Sequence, residues 1–445
     1  MTIADSPNKV ISSDPKTPEA LIEYYKSVRA FSERMCEPMV NEDYVIQSMP
    51  DVSPTKWHLA HTTWFFETFV LGNNYPNYEP LNKQYNYLFN SYYNAVGEQF
   101  CRPRRGQISR PTVAEVYEYR HYVDEKMIDL IGRLGRDGGL ESLRDTIILG
   151  ANHEQQHQEL MATDIKHVLS MNPLRPTLYD RPADPDPVGV PKLEWLRYEE
   201  SVYDIGWDAT RFSFDNEGPE HKEYLNAFEI GSRLVTNGEF LEFMNDGGYQ
   251  RPDVWLSLGW AEVQAGNLKE YDWEKFDHPL YWFKENDEWW QYTLAGPRPV
   301  HPDEPVLHVS FFEADAYARW AGARLATEAE WEVASADADI EGGTYSDSMR
   351  FHPRPLALDA PKGRLHQMFG DVWEWTNSAY SPYPGFTVAE GAIGEYNGKF
   401  MANQIVLRGG SAATPQNHIR PTYRNFFYAQ NKWQFMGFRL ARDAK

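Results

Sequence analysis

The chain has 445 residues, of which 65 are Asp or Glu and 43 are Lys or Arg, so its formal net charge is -22. This acidic balance repels phosphate backbones and anionic lipid, and we therefore expect neither nucleic acid nor a membrane as a partner. With 42% hydrophobic residues and a length that allows two or three domains, a disulfide-stapled miniprotein and a wholly disordered chain are both excluded.

The cysteine content and the first residues predict a cytoplasmic protein. Cys36 and Cys101 are the only cysteines, too few for a secreted disulfide framework. The N-terminal sequence has no basic region followed by an apolar one, and no run approaches the ~18 apolar residues that a membrane span needs. We expect residues 1–15 to be disordered.

The next part of the chain, residues 16–180, predicts four long amphipathic helices. Thr17-Pro18 and Ser53-Pro54 each offer a hydroxyl N-cap followed by proline at the first helical position. Thr112-Val113-Ala114-Glu115 is a capping-box pattern for the third helix, and the fourth extends from Leu140 to about Ser170. Four such helices indicate a four-helix bundle.

The remainder of the chain has a different composition. Residues 181–187 are rich in Pro and Asp, which helices and central strands reject, so we place a linker at 181–190. Residues 191–445 hold 13 of the 15 tryptophans and short apolar runs at 306–309 and 405–407. They predict an α+β domain with short strands around buried aromatic residues.

Two helices stand out in this second domain. One is predicted from Phe311 to Ala321, and another begins at Thr327, where Glu330 completes a capping-box pattern.

A pair of histidines in the fourth helix has the spacing of metal ligands. His153 and His157 are four residues apart, so on a helix their rings lie on one face and their nitrogens can converge on one ion. Glu159 lies ~200° around the helix from His157, and Asp164 lies about two turns further along, so neither is a comfortable third ligand.

The second helix is a better source of the third ligand. It carries His58 and His61, and either imidazole could point into the bundle, where facing helices commonly build metal sites. Three neutral imidazoles suit Fe(II) or Zn(II), and the spacing does not choose between these metals.

These motifs resemble a known family. His153-x-x-x-His157-x-Glu159, preceded by Leu59-Ala60-His61, resembles the DinB-like iron-binding bundle of the ergothioneine-biosynthesis sulfoxide synthases. The second half resembles the formylglycine-generating-enzyme/sulfatase-modifying-factor domain, a C-type-lectin-like fold. Its motifs are Val235 to Phe240, Arg324 to Glu332, Gly370 to Trp375, Arg408 to Ser411 and Gly437 to Arg439.

The resemblance covers nearly the whole chain. It implies a multidomain α and α+β protein, in which an N-terminal DinB-like four-helix bundle precedes a C-type-lectin-like α+β domain at 191–445. Formylglycine generation itself is excluded, because that family needs a cysteine pair for copper and the second half of this chain has no cysteine.

The resemblance also implies a reaction and a ligand set. His61, His153 and His157 would ligate Fe(II), with His58 in a structural role. The implied reaction uses O2 to join the sulfur of a cysteine-type donor to C2 of the imidazole of hercynine, Nα-trimethylhistidine, and to oxidise the sulfur to a sulfoxide.

Three residues are expected to contact hercynine by the same resemblance. Gln156 precedes His157, and Asn425 and Phe426 lie in the stretch from Arg420 to Tyr428 that receives this substrate in the family. A trimethylammonium group has no N–H to donate, so an aromatic face is a suitable neighbour.

The donor pocket departs from part of the family at Phe427. Synthases that use γ-glutamylcysteine tend to carry an acid there, whereas a bulky apolar residue would shrink and dry the pocket. We therefore predict free L-cysteine as the donor, with γ-glutamylcysteine as the alternative. The family places donor-binding arginines in the region of Arg102 and Arg105, whose guanidinium groups suit a donor carboxylate.

The family chemistry needs a nearby acid, and a tyrosine phenol can supply the proton. In part of the family this tyrosine comes from the C-terminal domain, where Tyr380 and Tyr383 follow the Trp373 to Trp375 motif. The connection between the second and third helices offers Tyr92 and Tyr93, which we prefer.

Two other functions stay open on the sequence alone. One is a non-catalytic protein with a structural zinc in the bundle and a small molecule on the lectin-like domain. The other is a cysteine dioxygenase-like enzyme that forms a sulfinate without an imidazole substrate. The identity of the metal tests the first, and dependence of the product on hercynine tests the second.

Overall fold

A computed structural model of the protein describes residues 14–180, 188–207, 212–266, 268, 275–390, 394 and 397–444. Most of the predicted disordered N-terminus and of the predicted linker therefore lies outside the described residues. None of the helices in the described part of the chain combines the length and apolar character that a membrane span requires.

The chain divides into two compact units. The first contains the chain up to Val168 together with the short segment Thr414–His418, and the second contains Leu169–Ala413 and Ile419–Lys445.

The first unit is built on four long helices. The helices of this unit are α1 (Pro18–Cys36), α2 (Thr55–Phe66), α3 (Gly72–Asn74), α4 (Tyr85–Phe89), α5 (Val113–Asp137) and α6 (Glu141–Ser170). A 3-10 helix at Arg102–Gln107 lies in the connection before α5.

Local capping explains where two of these helices begin. The Thr17 hydroxyl accepts a hydrogen bond from the backbone N–H of Ala20, and Thr112 and Glu115 form the reciprocal capping box. Gly138, with φ of 79°, ends α5 in the left-handed conformation that glycine adopts freely. The predicted starts of the first and third helices are confirmed.

The second helix differs from the prediction. It begins at Thr55 with Pro54 as the capping residue, so the Ser53 hydroxyl does not cap it. The backbone N–H of Ser53 instead donates to the Asp164 carboxylate at 2.7 Å. Every residue of α2 is buried, and beyond Phe66 the helix widens into a π-helical turn at Glu67–Leu71, a feature frequent near functional sites.

A buried ion-pair cluster fixes the rotation of α6. Glu154 pairs with Arg29 of α1 at 2.8 Å and with Arg120 of α5 at 2.6 Å, and the Ser32 hydroxyl donates to it at 2.6 Å. Removing one partner from such a cluster leaves an uncompensated buried charge. The cluster therefore fixes the rotation of α6, and with it the adjacent face that carries His153 and His157.

The second unit is an α+β domain with short strands, as predicted. Its helices are α7 (Asn237–Asn245), α8 (Ser257–Gly266), α9 (Phe311–Trp320) and α10 (Glu328–Ser335). Its strands are β1 (Trp195–Tyr198), β2 (Ser201–Ile205), β3 (His221–Leu225), β4 (Phe228–Gly231), β5 (Trp282–Glu285), β6 (Glu288–Thr293), β7 (Gly296–Pro299), β8 (Arg324–Leu325), β9 (Trp373–Ala379), β10 (Gln404–Arg408), β11 (Asn425–Tyr428), β12 (Met436–Gly437) and β13 (Leu440–Asp443).

These strands form small sheets around buried aromatic side chains. Two sheets have four strands, in the orders β1-β4-β13-β8 and β11-β10-β9-β12, and smaller sheets pair β2 with β3 and join β5, β6 and β7. Trp331, Trp373 and Trp375 are each 1% exposed, and the Trp375 indole donates to the Val309 carbonyl at 2.9 Å.

Two details of this unit depart from the prediction. The apolar run 306–309 is buried but is not a strand, because His308 has φ of 63° and breaks the extended conformation. Helix α7 was not predicted, although its start at Thr236 and Glu239 has the same capping-box signal as α9 and α10.

Candidate metal centre

Three histidine side chains converge inside the bundle. His61 comes from α2, and His153 and His157 come from successive turns of α6. One ring nitrogen of each residue lies within 4.8 Å of those of the other two, and all three residues are buried. Within the described residues, no other group of three His, Cys, Asp or Glu side chains has this arrangement.

The distances between these nitrogens fit a shared ion. The Nε2 atoms of His61 and His153 are 3.3 Å apart, and two nitrogens bound to one metal at about 2.1 Å lie roughly 3.0–3.4 Å from each other. The Phe89 carbonyl lies 2.5 Å from Nδ1 of His61, which must donate its proton there. The lone pair of His61 is therefore on Nε2, the atom that faces His153.

The surroundings keep the imidazoles neutral. Burial, followed by the neighbouring His153, holds the pKa of His61 and that of His157 well below the ordinary value of 6.5. Burial also lowers the pKa of His153 to about 4. At neutral pH all three imidazoles carry a lone pair, which is the form that binds a metal.

The segment His153 to His157 also matches the zinc-protease pattern His-Glu-x-x-His, in which the glutamate is a general base. Here the intervening Glu154 is 0% exposed and is held by Arg29 and Arg120. It has no free carboxylate oxygen to offer a water, so the arrangement does not support metalloprotease chemistry.

His58 is close to the histidine cluster without belonging to it. Its Nδ1 lies 2.8 Å from Nδ1 of His157, and its Nε2 lies 2.9 Å from a carboxylate oxygen of Asp164. The spacing alone does not decide whether His58 or His61 is the third ligand, and the structure places only His61 in the cluster. Glu159, by contrast, accepts a hydrogen bond from the Thr414 hydroxyl.

Aromatic side chains enclose the cluster. Trp57 stacks on the His61 ring with centroids 4.6 Å apart and planes 11° apart, and Trp64 stacks on it at 5.5 Å. Phe65 packs against the His153 ring at 4.9 Å. This wall excludes water and fixes the ring orientations.

Arg105 is a buried cation beside this wall. It is 3% exposed, and its guanidinium carbon lies 3.3 Å from the centroid of the Trp57 ring. Its amino groups donate to the hydroxyls of Ser53 and Ser91, both at 2.9 Å, and its Nε–H has no hydrogen-bond partner among the described residues. No carboxylate in the described part of the chain forms an ion pair with it. Burial and the charge of Arg102 lower the pKa of Arg105 to about 9, so it is cationic at neutral pH.

Arg102 and the two tyrosines of the connection lie nearby. Arg102 donates to the Tyr92 phenol and, at 2.5 Å, to the Asp51 carbonyl. Tyr92 has a left-handed backbone with φ of 66°. Tyr93 is buried, and its ring packs against Trp64 at 5.6 Å. Because Trp64 stacks on His61, Tyr93 is one aromatic layer away from the cluster.

Gln156 is half-buried on α6, next to His157. The neighbouring Gln155 is tied into the bundle, since it accepts from the Tyr24 phenol at 3.1 Å and donates to Asn417 at 2.6 Å.

The remaining predicted substrate residues lie in the second unit, on β11. Phe426 is half-buried and stacks on Tyr380 with centroids 4.1 Å apart and planes 9° apart. The side-chain oxygen of Asn425 accepts from the backbone N–H of Phe426 at 2.9 Å. Phe427 packs edge-on against Trp433 at 5.9 Å.

Tyr383 belongs to a buried ion-pair network of this unit. Its phenol donates to Glu328 at 3.1 Å, and the guanidinium of Arg424 lies 3.9 Å from its ring centroid. Glu328 also pairs with Arg424 at 2.6 Å and with Arg408 at 3.2 Å. Burial, followed by the charge of Glu328, holds the pKa of Tyr383 well above its ordinary value.

Comparison with known proteins agrees with both units. Residues 15–161 match the DinB superfamily, and residues 200–360 and 357–444 match the sulfatase-modifying factor enzyme 1-like domain. The hercynine oxygenase of Mycolicibacterium smegmatis is 32% identical, over 89% of this chain and 92% of its own length. The chain belongs to the hercynine oxygenase family.

Another hercynine oxygenase, from Mycobacterium tuberculosis, is 31% identical over 96% of this chain and 99% of its own length. The similarity to hercynine oxygenases therefore extends over both units of the chain and is not confined to one shared domain. The formylglycine-generating enzyme of Streptomyces coelicolor is 28% identical over 52% of this chain and 82% of its own length.

Proposed function

We propose that this protein is an O2-dependent sulfoxide synthase that couples the sulfur of L-cysteine to C2 of the hercynine imidazole, as in ergothioneine biosynthesis. The observation that carries the proposal is the buried cluster of His61, His153 and His157, in a chain whose full-length relatives are named hercynine oxygenases.

The proposed metal is Fe(II). Three neutral imidazoles accommodate either iron or zinc, but only iron changes valence and can supply redox chemistry with O2 when bound. His61, His153 and His157 would hold it, and the stacked Trp57 and Trp64 rings keep the His61 imidazole in its orientation. Because no carboxylate joins the cluster among the described residues, the ligand set is neutral.

Arg105 is the residue that we assign to the donor carboxylate. It is a buried guanidinium with no ion-pair partner in the described part of the chain, and a buried cation is stabilised when an anion pairs with it. Arg102 holds the Tyr92 phenol and the Asp51 carbonyl, so we assign it a supporting role in shaping the same pocket.

Phe427 supports L-cysteine as the donor over γ-glutamylcysteine. The half-buried phenyl ring has no group that could receive the ammonium of the dipeptide's glutamyl part. For hercynine we assign Gln156, Asn425 and Phe426, in which the aromatic face of Phe426 suits the trimethylammonium group.

The proton donor is proposed to be Tyr93 or Tyr92 ahead of Tyr383. Tyr93 lies one aromatic layer from the histidines, and the Tyr92 phenol accepts a hydrogen bond from Arg102. The Tyr383 phenol already donates to Glu328, and a neighbouring carboxylate disfavours loss of its proton.

The test is reconstitution of the purified protein with Fe(II) without oxygen, followed by O2, hercynine and both thiol donors in competition. Mass spectrometry should detect a hercynine-cysteine adduct that carries one added oxygen. Sulfinate formed equally with and without hercynine would instead identify a cysteine dioxygenase. No oxidised product, together with zinc retained from purification, would identify a zinc-containing binding protein.

A further inference from the structure

We propose that His58 and Asp164 form a positioning relay that fixes the tautomer of the metal ligand His157 and strengthens it as an electron donor. The inference rests on the proposed metal role of the three histidines, and it assigns a function to two residues that contact no substrate.

The relay is a short chain of hydrogen bonds. Asp164 Oδ2 lies 2.9 Å from Nε2 of His58, and Nδ1 of His58 lies 2.8 Å from Nδ1 of His157. Asp164 is 4% exposed, His58 is 2% exposed and His157 is 6% exposed, so water does not compete for these bonds.

One assignment of protons satisfies every contact. Asp164 as a carboxylate can only accept, so Nε2 of His58 carries a proton and donates it. In a neutral imidazole the other nitrogen then accepts, so Nδ1 of His58 receives the proton on Nδ1 of His157. The lone pair of His157 is consequently on Nε2, the nitrogen left to bind a metal.

Besides His58, Asp164 is hydrogen-bonded only by neutral donors among the described residues. Its other contacts are the Ser53 backbone N–H at 2.7 Å and the Thr163 hydroxyl at 3.3 Å, both neutral donors. No lysine or arginine forms an ion pair with it among the described residues. Its negative charge therefore polarises the His58 imidazole, which in turn draws the Nδ1 proton of His157 and makes its Nε2 more basic.

The ligand on α2 has a weaker partner. His61 donates its Nδ1 proton to the Phe89 carbonyl, an uncharged backbone group. The two ligands are thus unequal, because the hydrogen-bonded chain connects the carboxylate to His157 and not to His61. Outer partners of this kind typically contribute 10–100-fold to metal affinity.

The perturbation that isolates this effect is Asp164→Asn. The Asn side-chain oxygen can still accept from Ser53 and His58, so the bonds remain while the charge is removed. His58→Gln is a second variant, because it separates His157 from the carboxylate while leaving Asp164 in place. Glu141→Gln is the control: it removes an exposed carboxylate from the first turn of the same helix, far from the three ligands.

Metal affinity is measured without turnover, by titrating each purified variant with Co(II) in competition with a coloured chelator. We expect Asp164→Asn and His58→Gln to bind Co(II) about 10–100-fold more weakly than the wild type, and Glu141→Gln to stay within about twofold. In the zinc-loaded protein, the Nδ1 proton resonance of His157 should move upfield in Asp164→Asn, since its hydrogen bond weakens.

The outcomes separate the relay from a structural role. Unchanged Co(II) affinity and an unmoved His157 resonance in the folded variants would overturn the relay, even if their melting temperatures fell. If Asp164→Asn does not fold, the same two readouts on His58→Gln decide. A wild-type protein that binds neither Co(II) nor Fe(II) would overturn the proposed metal centre, and the relay with it.

Discussion

Replacing Arg105 by Met should stabilise the protein while damaging donor binding. Arg105 is charged and 3% exposed, and no carboxylate pairs with it within the described residues. Burial and the neighbouring Arg102 lower its pKa from 12.5 to about 9. That difference corresponds to roughly 5 kcal/mol of unfavourable free energy for keeping the charge in the folded state.

Removing the charge stabilises the folded state, but Arg105→Met loses part of this stability again. Met lacks the stacking of the guanidinium on Trp57 and its bonds to the hydroxyls of Ser53 and Ser91, which together contribute about 3 kcal/mol. The net gain of about 2 kcal/mol should raise the melting temperature of this unit by roughly 4–8 °C. The exposed Arg104 in the same 3-10 helix gives the matched control, Arg104→Met, which should melt like the wild type.

Differential scanning calorimetry at neutral pH measures the stability, and steady-state kinetics measures KM for cysteine. Because the donor carboxylate loses the Arg105 guanidinium as its partner, Arg105→Met should raise KM for cysteine at least tenfold, while Arg104→Met should leave KM within about twofold. Saturating cysteine should raise the melting temperature of the wild type and not that of Arg105→Met. A variant that melts below the wild type would refute the inferred cost of the buried charge, and an unchanged KM would refute its role in donor binding.

Four further changes test other parts of the site and its support. Phe427→Glu should shift the ratio of kcat/KM for γ-glutamylcysteine over cysteine toward the dipeptide by about tenfold, measured by competition, because the new carboxylate can pair with the glutamyl ammonium. Tyr93→Phe should lower the ratio of sulfoxide to cysteine sulfinate in the products, and an unchanged ratio would remove Tyr93 as the proton donor. Gly150→Ala should destabilise the protein by about 1–3 kcal/mol in thermal unfolding, because the added Cβ would lie 2.5 Å from a ring carbon of Phe66. Burial disfavours ionisation of Glu154, but its two arginines outweigh burial and hold its pKa at about 2, below the ordinary 4.5. The ionised carboxylate therefore contributes about 3 kcal/mol to the free energy of unfolding above pH 4.5, and this contribution is lost as the pH falls toward 2. Urea unfolding of Glu154→Gln should lack this acid-dependent loss.

Features set by neighbouring residues in the chain could be predicted from the sequence. The capping boxes at Thr112, Ser310 and Thr327 depend on a hydroxyl and a glutamate three residues later, so the pattern alone locates the helix starts. Ser53 offers the hydroxyl without the glutamate, since Lys56 stands three residues later, and its hydroxyl accepts from Arg105, 52 residues away, instead of capping the helix. A long-range contact of this kind leaves no trace in local sequence.

The ligand set illustrates the same limit. The spacing of His153 and His157 indicates a shared face, but His58 and His61 are three residues apart on one helix and both are buried. What distinguishes them is the partner of each ring, which for His61 is the carbonyl of Phe89 at the end of α4. The family resemblance identified His61 as the ligand, whereas it gave no indication that His58 contacts His157.

The charges of the proposed centre favour a particular kind of donor. A divalent ion on the three neutral imidazoles would bring two positive charges into a largely dry site, and the Arg105 guanidinium brings a third. Among the described residues, the nearby Asp164 carboxylate compensates only one of these charges. L-cysteine that binds as a thiolate brings two negative groups and one ammonium, a net charge of −1, and its carboxylate is the group that can pair with Arg105. An imidazole substrate supplies none at its ring. The site is therefore expected to bind cysteine much more tightly than cysteamine, which lacks the carboxylate, and that preference should disappear in Arg105→Met.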